Sequence, residues 1–102
     1  MNTLNHGSIR HIVFKEDGIW HAVALELNIV ESGDDAREAL ILLFEAVKGY
    51  VASASTNALS SDVLNQTADE EYENLWNKLQ AHKPIPSPYT VFTHGESSLA
   101  SL

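Results

Sequence analysis

The sequence contains no cysteine and few cations. Without cysteine the chain has no disulfide, no thiolate metal site and no cysteine nucleophile, and its redox compartment stays undetermined. Lys and Arg number 6 against 14 Asp and Glu, which gives a formal net charge of −8. A broad contact with phosphate backbones is therefore not expected. An acidic surface instead favours a basic protein as the partner.

Glycine clusters and long apolar runs are also missing. The five glycines are scattered, so no glycine-rich loop is available to hold a phosphate. No stretch of eighteen consecutive apolar residues occurs, and the first eight residues show no charged head before an apolar run. We therefore expect neither a membrane span nor an export signal, and we place the protein in the cytoplasm by default.

The 102 residues suffice for one domain, and the first third predicts an antiparallel meander. Two apolar-rich segments, residues 8–15 and 19–25, flank Glu16-Asp17-Gly18. Asp-Gly between such segments is typical of a hairpin, because both residues tolerate positive φ. With a three-residue loop, Val13 would lie opposite His21. Residues 28–32 predict a short third strand, which Gly33 ends.

A long helix is predicted after the meander. Asp35 can cap its first turn, and Glu38 can reach back to the backbone N–H of Asp35, which completes a capping box. Apolar residues follow helical spacing over residues 36–52, with an uninterrupted apolar run in the middle. One face of this helix can pack on the meander, so Ile41 and Phe44 need cover from the second half of the chain or from another subunit.

The second half predicts a connector and a shorter helix. Residues 52–66 have little apolar content and are interpreted as a connector with one helical turn near residues 62–64. A second capping box occupies residues 67–70. The apolar stripe that follows consists of Tyr72, Leu75, Trp76 and Leu79. The helix must end near Lys83, because three prolines follow it.

Residues 89–93 predict a last strand, and the termini, residues 1–7 and 95–102, are expected to be flexible. The chain is then a single α+β domain with the element order β-β-β-α-α-β. A strand that returns after a crossover can lie parallel to an earlier strand. If it joins beside the first strand, the sheet order is 3-2-1-4 with both helices on one face, which is a two-layer sandwich.

His11 and His21 lie on partner strands of the predicted hairpin, as diagonal neighbours, and could form half of a metal site. No carboxylate lies nearby in a ligand spacing, however, and zinc takes three or four protein ligands. The solvent-facing side of a half-buried sheet accounts for both histidines. We expect no metal and no cofactor.

Two groups of neighbouring carboxylates, Asp34-Asp35 and Asp69-Glu70-Glu71, could divide acid and base roles. Each group begins a predicted helix, where capping and the helix dipole explain its position. Neither group has a Ser, His or Lys beside it in a pattern that supplies a nucleophile. We expect no catalytic residue, and hence no enzyme.

The two tryptophans, Trp20 and Trp76, are candidate binding anchors, since Trp is enriched at interface hot spots. Trp76 belongs to the apolar stripe of the second helix, so we predict it in the core. The alternation around Trp20 does not show which face of the hairpin is buried. Trp20 therefore stays a candidate contact residue.

A recognisable progression runs from Ile12 to Val51. After the Asp-Gly hairpin come Glu26-Leu27 and then Gly33-Asp34-Asp35-Ala36-Arg37-Glu38-Ala39-Leu40, which leads into the long helix. This stretch resembles the HicB family, the antitoxin partners of HicA toxins, whose members show Glu-Leu, Gly-Asp-Thr and Glu-Glu-Ala-Leu in this order. The sequence departs from that pattern in three ways: Ala24-Leu25 replaces the usual proline or cysteine before Glu-Leu, Asp35 replaces the cap threonine, and Arg37 replaces the first acid. Asp caps as well as Thr, so the helix start is kept.

The resemblance implies a partial ribonuclease-H-like fold, β-β-β-α-β in outline, without the metal-binding acids of true ribonucleases. It also implies a protein that binds and masks a small basic mRNA ribonuclease of the HicA type. Family members frequently carry a C-terminal helix-turn-helix or ribbon-helix-helix segment. Residues 53–102 hold only Lys78 and Lys83 as cations, so no recognition helix is predicted. The chain resembles a stand-alone HicB-like domain, and no direct nucleic-acid binding is expected.

Three functional hypotheses follow. The first is a non-enzymatic interaction protein of the antitoxin type, whose acidic surface steers a basic partner into contact. Its expected contact residues are Trp20, Glu26, Glu31, Asp34 and Asp35. The second is a metal-dependent nuclease or hydrolase that uses His11 and His21, which is disfavoured because two-metal catalysis needs converging carboxylates that the strands lack. The third is a homo-oligomer, a dimer or tetramer, in which Ile41 and Phe44 contact a second copy.

Overall fold

Four strands and two helices make up the structure, a computed structural model that describes residues 1–3, 6–57 and 59–99. The elements are β1 (Ser8–Glu16), β2 (Ile19–Ala24), β3 (Ile29–Gly33), α1 (Ala36–Thr56), α2 (Glu70–Gln80) and β4 (Thr90–Ser98). Short 3-10 turns occupy Leu25–Leu27 and Ser61–Leu64, and the second confirms the turn predicted near residues 62–64. The strands form one sheet in the order β3-β2-β1-β4. The α+β class and the 3-2-1-4 order are therefore confirmed.

The hairpin between β1 and β2 has a two-residue turn. Asp17 and Gly18 both have positive φ, +53° and +82°, and Glu16 lies opposite Ile19. A turn with two positive φ values matches the twist of the strands it joins. The predicted three-residue loop is wrong, so His21 lies opposite Phe14 and not opposite Val13.

The two helices lie on opposite faces of the sheet. On the α1 face, Val13 and Ala22 pack in one core with Leu43 of α1. On the α2 face, Phe14 and Val23 pack in a second core with Leu75 and Trp76 of α2. The predicted two-layer sandwich is wrong: the domain has three layers. The physical reason is that the central strands are apolar on both sides, so each face needs a cover.

Between the two helices the chain crosses from the α1 face of the sheet to the α2 face. Leu64 is buried in the core on the α1 face, and Ala68 is buried in the core on the α2 face. Between them the backbone N–H of Gln66 donates to the carbonyl of Glu26 at 2.7 Å. Asp69 stands at the N-cap of α2 without a side-chain bond to the helix, so the predicted capping box at residues 67–70 is not formed.

β4 is longer than predicted and runs antiparallel to β1, not parallel. Residues 95–98, which we expected to be flexible, pair with residues 8–11 of β1, and Leu99 is buried. Hydrogen bonding to β1 holds this polar segment in the sheet, although it lacks an apolar pattern. At the other terminus, Asn2 is buried, and its side chain donates to the carbonyl of Leu64 at 2.9 Å. Residues 4, 5 and 100–102 of these predicted flexible termini lie outside the described residues.

α1 is long and apolar enough, by length and composition alone, to cross a membrane. The core helix of a soluble protein passes the same test. Ala39, Leu43 and Val47 of α1 are buried against the sheet. Packing on the sheet thus accounts for the apolar character of these residues.

Candidate binding surface

The predicted contact residue Glu26 is bonded within the chain to Arg10. Its Oε2 lies 2.6 Å from Nε of Arg10, and its Oε1 accepts from the backbone N–H of Arg10 at 2.7 Å. Both carboxylate oxygens of Glu26 therefore have a partner in β1. The structure accounts for this acid without an external partner.

Arg10 also reaches α2. Its two terminal nitrogens donate to the two oxygens of Glu73 at 3.0 and 2.7 Å, and its guanidinium lies 5.5 Å from the ring centre of Trp76. The hydrogen bonds to Glu73 raise the pKa of Arg10, so the charge is permanent. Trp76 is buried beneath this contact, which confirms its predicted place in the core. Local sequence patterns do not reveal this network, because its members are far apart in the chain.

Trp20 lies on the α1 face of the sheet, half-buried. Its ring meets Phe92 of β4 edge-on at 6.1 Å, and Nζ of Lys15 lies 5.8 Å from the ring centre. Phe92 is 60 % exposed. These contacts settle the open question of which face carries Trp20.

Three of the predicted contact residues, Glu31, Asp34 and Asp35, lie together at the junction of β3 and α1. With Glu38 they form what we call the acidic corner. Asp35 caps α1 by accepting from the backbone N–H of Glu38 at 2.8 Å, as predicted. Glu38 in turn accepts from the backbone N–H of Asp34 at 3.3 Å, and not from that of Asp35. The corner therefore has a fixed backbone.

Gly33 allows this junction to be tight. A Cβ at position 33 would lie 2.7 Å from the backbone nitrogen of Ala39, closer than a carbon atom can approach. Only glycine lets the end of β3 lie this near the first turn of α1. The acidic side chains are thereby held beside the positive end of the α1 dipole.

A depression of about 350 Å³ lies beside the acidic corner. Its lining consists of Asp35, Arg37, Glu38, Ile41, Leu42 and Glu45. Three carboxylates thus surround two aliphatic side chains, with a single cation. Such a site suits a long cationic side chain, whose methylene groups contact apolar surface while its charged end meets a carboxylate.

In the part of the chain that the structure describes, no cation is bonded to the carboxylates of the acidic corner. Among the residues that the structure describes, both ion pairs belong to Arg10, with Glu26 and with Glu73. The side chains of Asp34, Asp35 and Glu38 are exposed, and Glu31 is half-buried in β3. The negative charge at this junction is therefore not neutralised within the described chain.

Ile41 and Phe44, the two residues predicted to contact a second copy, differ in how far the chain itself covers them. Phe44 is half-buried and packs edge-on against His11, with the ring centres 5.6 Å apart. Ile41 is 48 % exposed and borders the depression beside the acidic corner. Phe44 is therefore covered in part within the chain.

The histidine pair considered as half of a metal site is not formed. His11 contacts Phe44 on the α1 face, whereas His21 contacts Phe14 on the α2 face. A two-residue turn, in place of the predicted three-residue loop, is what separates them. The ranges described contain no group of three or more His, Asp or Glu residues that could hold a metal ion.

His11 has a second unusual property. Its Nδ1 is buried without a hydrogen-bond partner among the described residues. Burial lowers the pKa of His11, and the nearby His94 adds to the effect. The environment between α1 and β4 therefore favours the neutral form of the ring.

An aromatic cluster closes the α2 face. The ring of Phe14 lies 5.5 to 5.9 Å from the rings of His21, Tyr72 and Tyr89. The hydroxyl of Tyr89 donates to Glu71 at 2.7 Å, which raises the pKa of Tyr89, and burial raises the pKa of Tyr72. Both phenols therefore stay protonated at neutral pH, and the cluster serves packing.

No family model, no curated protein and no solved structure matches the chain.

Proposed function

We propose that the protein is a non-enzymatic, HicB-like antitoxin that binds and masks a small basic ribonuclease of the HicA type in the cytoplasm. The observation that carries the proposal is the acidic corner, whose carboxylates have no bonded cation among the described residues, with a partly apolar depression beside them. The partial ribonuclease-H-like fold of that family belongs to the same proposal. It is supported by the succession of β1, β2, β3 and α1 along the chain, which α2 and then β4 follow.

Electrostatics favours a basic partner at this place. The net charge is −8, and Arg10 is already bonded to two carboxylates. A positively charged protein is drawn to such a surface, which raises the association rate more than the final affinity. Trp20 and Glu26, the other predicted contact residues, are bonded or packed within the chain. The contact is therefore assigned to Glu31, Asp34 and Asp35.

The alternative hypothesis is a metal-dependent nuclease with His11 and His21 as metal ligands. These two histidines lie on opposite faces of the sheet, so they cannot bind the same metal ion. The central strands β1 and β2 carry a single acid, Glu16, at the hairpin turn. Two-metal catalysis needs several converging carboxylates. No observation favours this alternative.

The test uses the neighbouring small basic protein, if one is encoded beside this chain. Co-expression should give a complex that survives purification. The double variant Glu31→Gln/Asp34→Asn removes two charges and leaves the cap residue Asp35 in place. At low salt we expect this variant to associate about tenfold more slowly. Stopped-flow fluorescence of the tryptophans measures the rate.

The matched control is Asp69→Asn/Glu70→Gln, which removes two charges at the start of α2. Its association rate should stay close to that of the unmodified chain. The absence of any complex, or an equal loss of rate in both variants, would contradict the proposal.

A further inference from the structure

β4 is an unprotected edge of the sheet. It lies at the end of the strand order, so between Thr93 and Ser97 its outer backbone pairs with no strand of the described chain. Proteins usually protect such an edge with Lys, Pro or a covering element. The nine residues of β4 contain no Lys, Arg or Pro, and the three prolines all precede the strand. The opposite edge, β3, has only five residues and ends in the acidic corner.

The second half of β4 is regular. The pairing with β1 shifts once, between Val13 and Phe14, where β4 has a bulge at Phe92. From Thr93 to Ser98 the pairing advances by one residue at every step. A regular, weakly charged edge is a template for another strand.

Charge limits which surface of this protein can meet a second copy. Two chains of charge −8 repel each other wherever their acids face. β4 carries only one acid, Glu96, together with His94. Both side chains lie on the α2 face, since His94 packs against Trp76 at 5.5 Å and Glu96 lies opposite Arg10.

These two residues make β4 complementary to itself. Two antiparallel strands centred on Gly95 bring His94 of each copy opposite Glu96 of the other, and Thr93 opposite Ser97. The imidazole of His94 can then donate to the carboxylate across the pair. A pairing centred on Glu96 would instead place two carboxylates opposite each other, which is unfavourable.

Gly95 suits the centre of such a pair. A Cβ at this position would lie 3.3 Å from Cε1 of His11, so the ring of His11 occupies the place of a side chain. The ring of His11, and not a side chain of β4, therefore covers the α1 face of the strand at the symmetry axis. Glycine within a strand often marks the close approach of another backbone.

We propose that β4 pairs with β4 of a second copy, antiparallel and centred on Gly95, so that two sheets join into one of eight strands. The chain is then a symmetric dimer built by strand addition. This places the self-contact on β4 and not on Ile41 and Phe44. The acidic corner lies at the opposite edge of each sheet, so the dimer leaves both corners open and does not depend on the proposed antitoxin function.

The first measurement is the molar mass by sedimentation equilibrium over a wide range of concentration. The mass should rise from that of one chain, 11.2 kDa, to twice that value. Amide hydrogen exchange of the unmodified chain should show protection of residues 93–97 that grows with concentration. A monomer at every concentration, or a dimer without this protection, would overturn the proposal.

Charge exchange tests the register. In His94→Glu the new carboxylate lies opposite Glu96 of the other copy, at two places in each dimer. This repulsion should weaken association by about tenfold or more. The double variant His94→Glu/Glu96→His restores both opposite pairs and should recover association. Since the double variant also lacks the contact of His94 with Trp76, recovery cannot come from that packing. Failure of the double variant to recover, while folded, would overturn the register.

The matched control is Ser32→Glu, which adds one acid to the other edge strand. Ser32 is exposed in β3, and the association of this variant should equal that of the unmodified chain. An equal loss in His94→Glu and Ser32→Glu would show a general effect of charge, and would overturn the proposal.

Discussion

Arg10 and Glu73 join β1 to α2 through two parallel hydrogen bonds, 3.0 and 2.7 Å long, although 63 residues separate them in the chain. The same guanidinium holds Glu26 in the turn that follows β2. One cation thus connects three elements on the α2 face. Both acids are about two-thirds or more removed from solvent, and Arg10 is the cation bonded to each of them.

Replacing Arg10 should therefore destabilise the fold. In Arg10→Ala the carboxylate of Glu73 loses both of its guanidinium bonds, that of Glu26 loses one and keeps the backbone N–H of residue 10, and Trp76 loses the covering guanidinium. We expect the free energy of unfolding to fall by about 2 kcal/mol. This lies between the stability changes typical of removing an exposed ion pair and of breaking a buried one. Urea denaturation measures it. The control Lys48→Ala, at an exposed position of α1, should change stability by less than about 0.5 kcal/mol; an equal effect of both would contradict the role of Arg10.

Gly33 and Gly49 should respond to alanine with opposite signs. Gly33→Ala places a Cβ against the backbone of Ala39 and should cost about 1 to 3 kcal/mol as α1 moves away from β3. Gly49 lies in α1 with open space where a Cβ would point, so Gly49→Ala should stabilise the helix by about 0.5 to 1 kcal/mol. Thermal unfolding of the two variants checks both signs. A neutral Gly33→Ala would show that the junction can relax without loss.

Features with a local cause were predicted well. The Asp-Gly turn and the Asp35 cap depend on residues within four positions of each other, and both are present in the structure. The strand order followed from the succession of elements. The layer arrangement was missed although a signal existed: Ile12, Val13 and Phe14 are consecutive and all buried, which is typical of a strand covered on both faces.

Features with a distant cause could not be predicted from local patterns. Nothing near Arg10 indicates that Glu73 will lie beside it. The segment from His94 to Ser98 has no apolar alternation, and its place in the sheet depends on hydrogen bonds to β1. Of the predicted contact residues, Glu31, Asp34 and Asp35 lie together because β3 leads directly into α1. Glu26 is instead bonded to a residue sixteen positions earlier.

His11 should make stability depend on pH. Its pKa in the folded protein is below the ordinary value of 6.5, chiefly because the ring is buried. The unfolded chain therefore binds a proton at this residue at a higher pH than the folded chain does. As the pH falls through 6.5, protonation favours the unfolded state, so stability is lost on the acidic side and is fully present above this value.

The variant His11→Leu tests this prediction. It removes the titrating group and the unpaired Nδ1, and keeps an apolar side chain against Phe44. Urea midpoints at about pH 5.5 and about pH 7.5 should differ less in the variant than in the unmodified chain, with the larger gain in stability at the lower pH. Since burial of a polar atom without a partner is unfavourable at any pH, the variant should be no less stable at the higher pH. An identical pH dependence in both proteins would show that acid sensitivity comes from other groups.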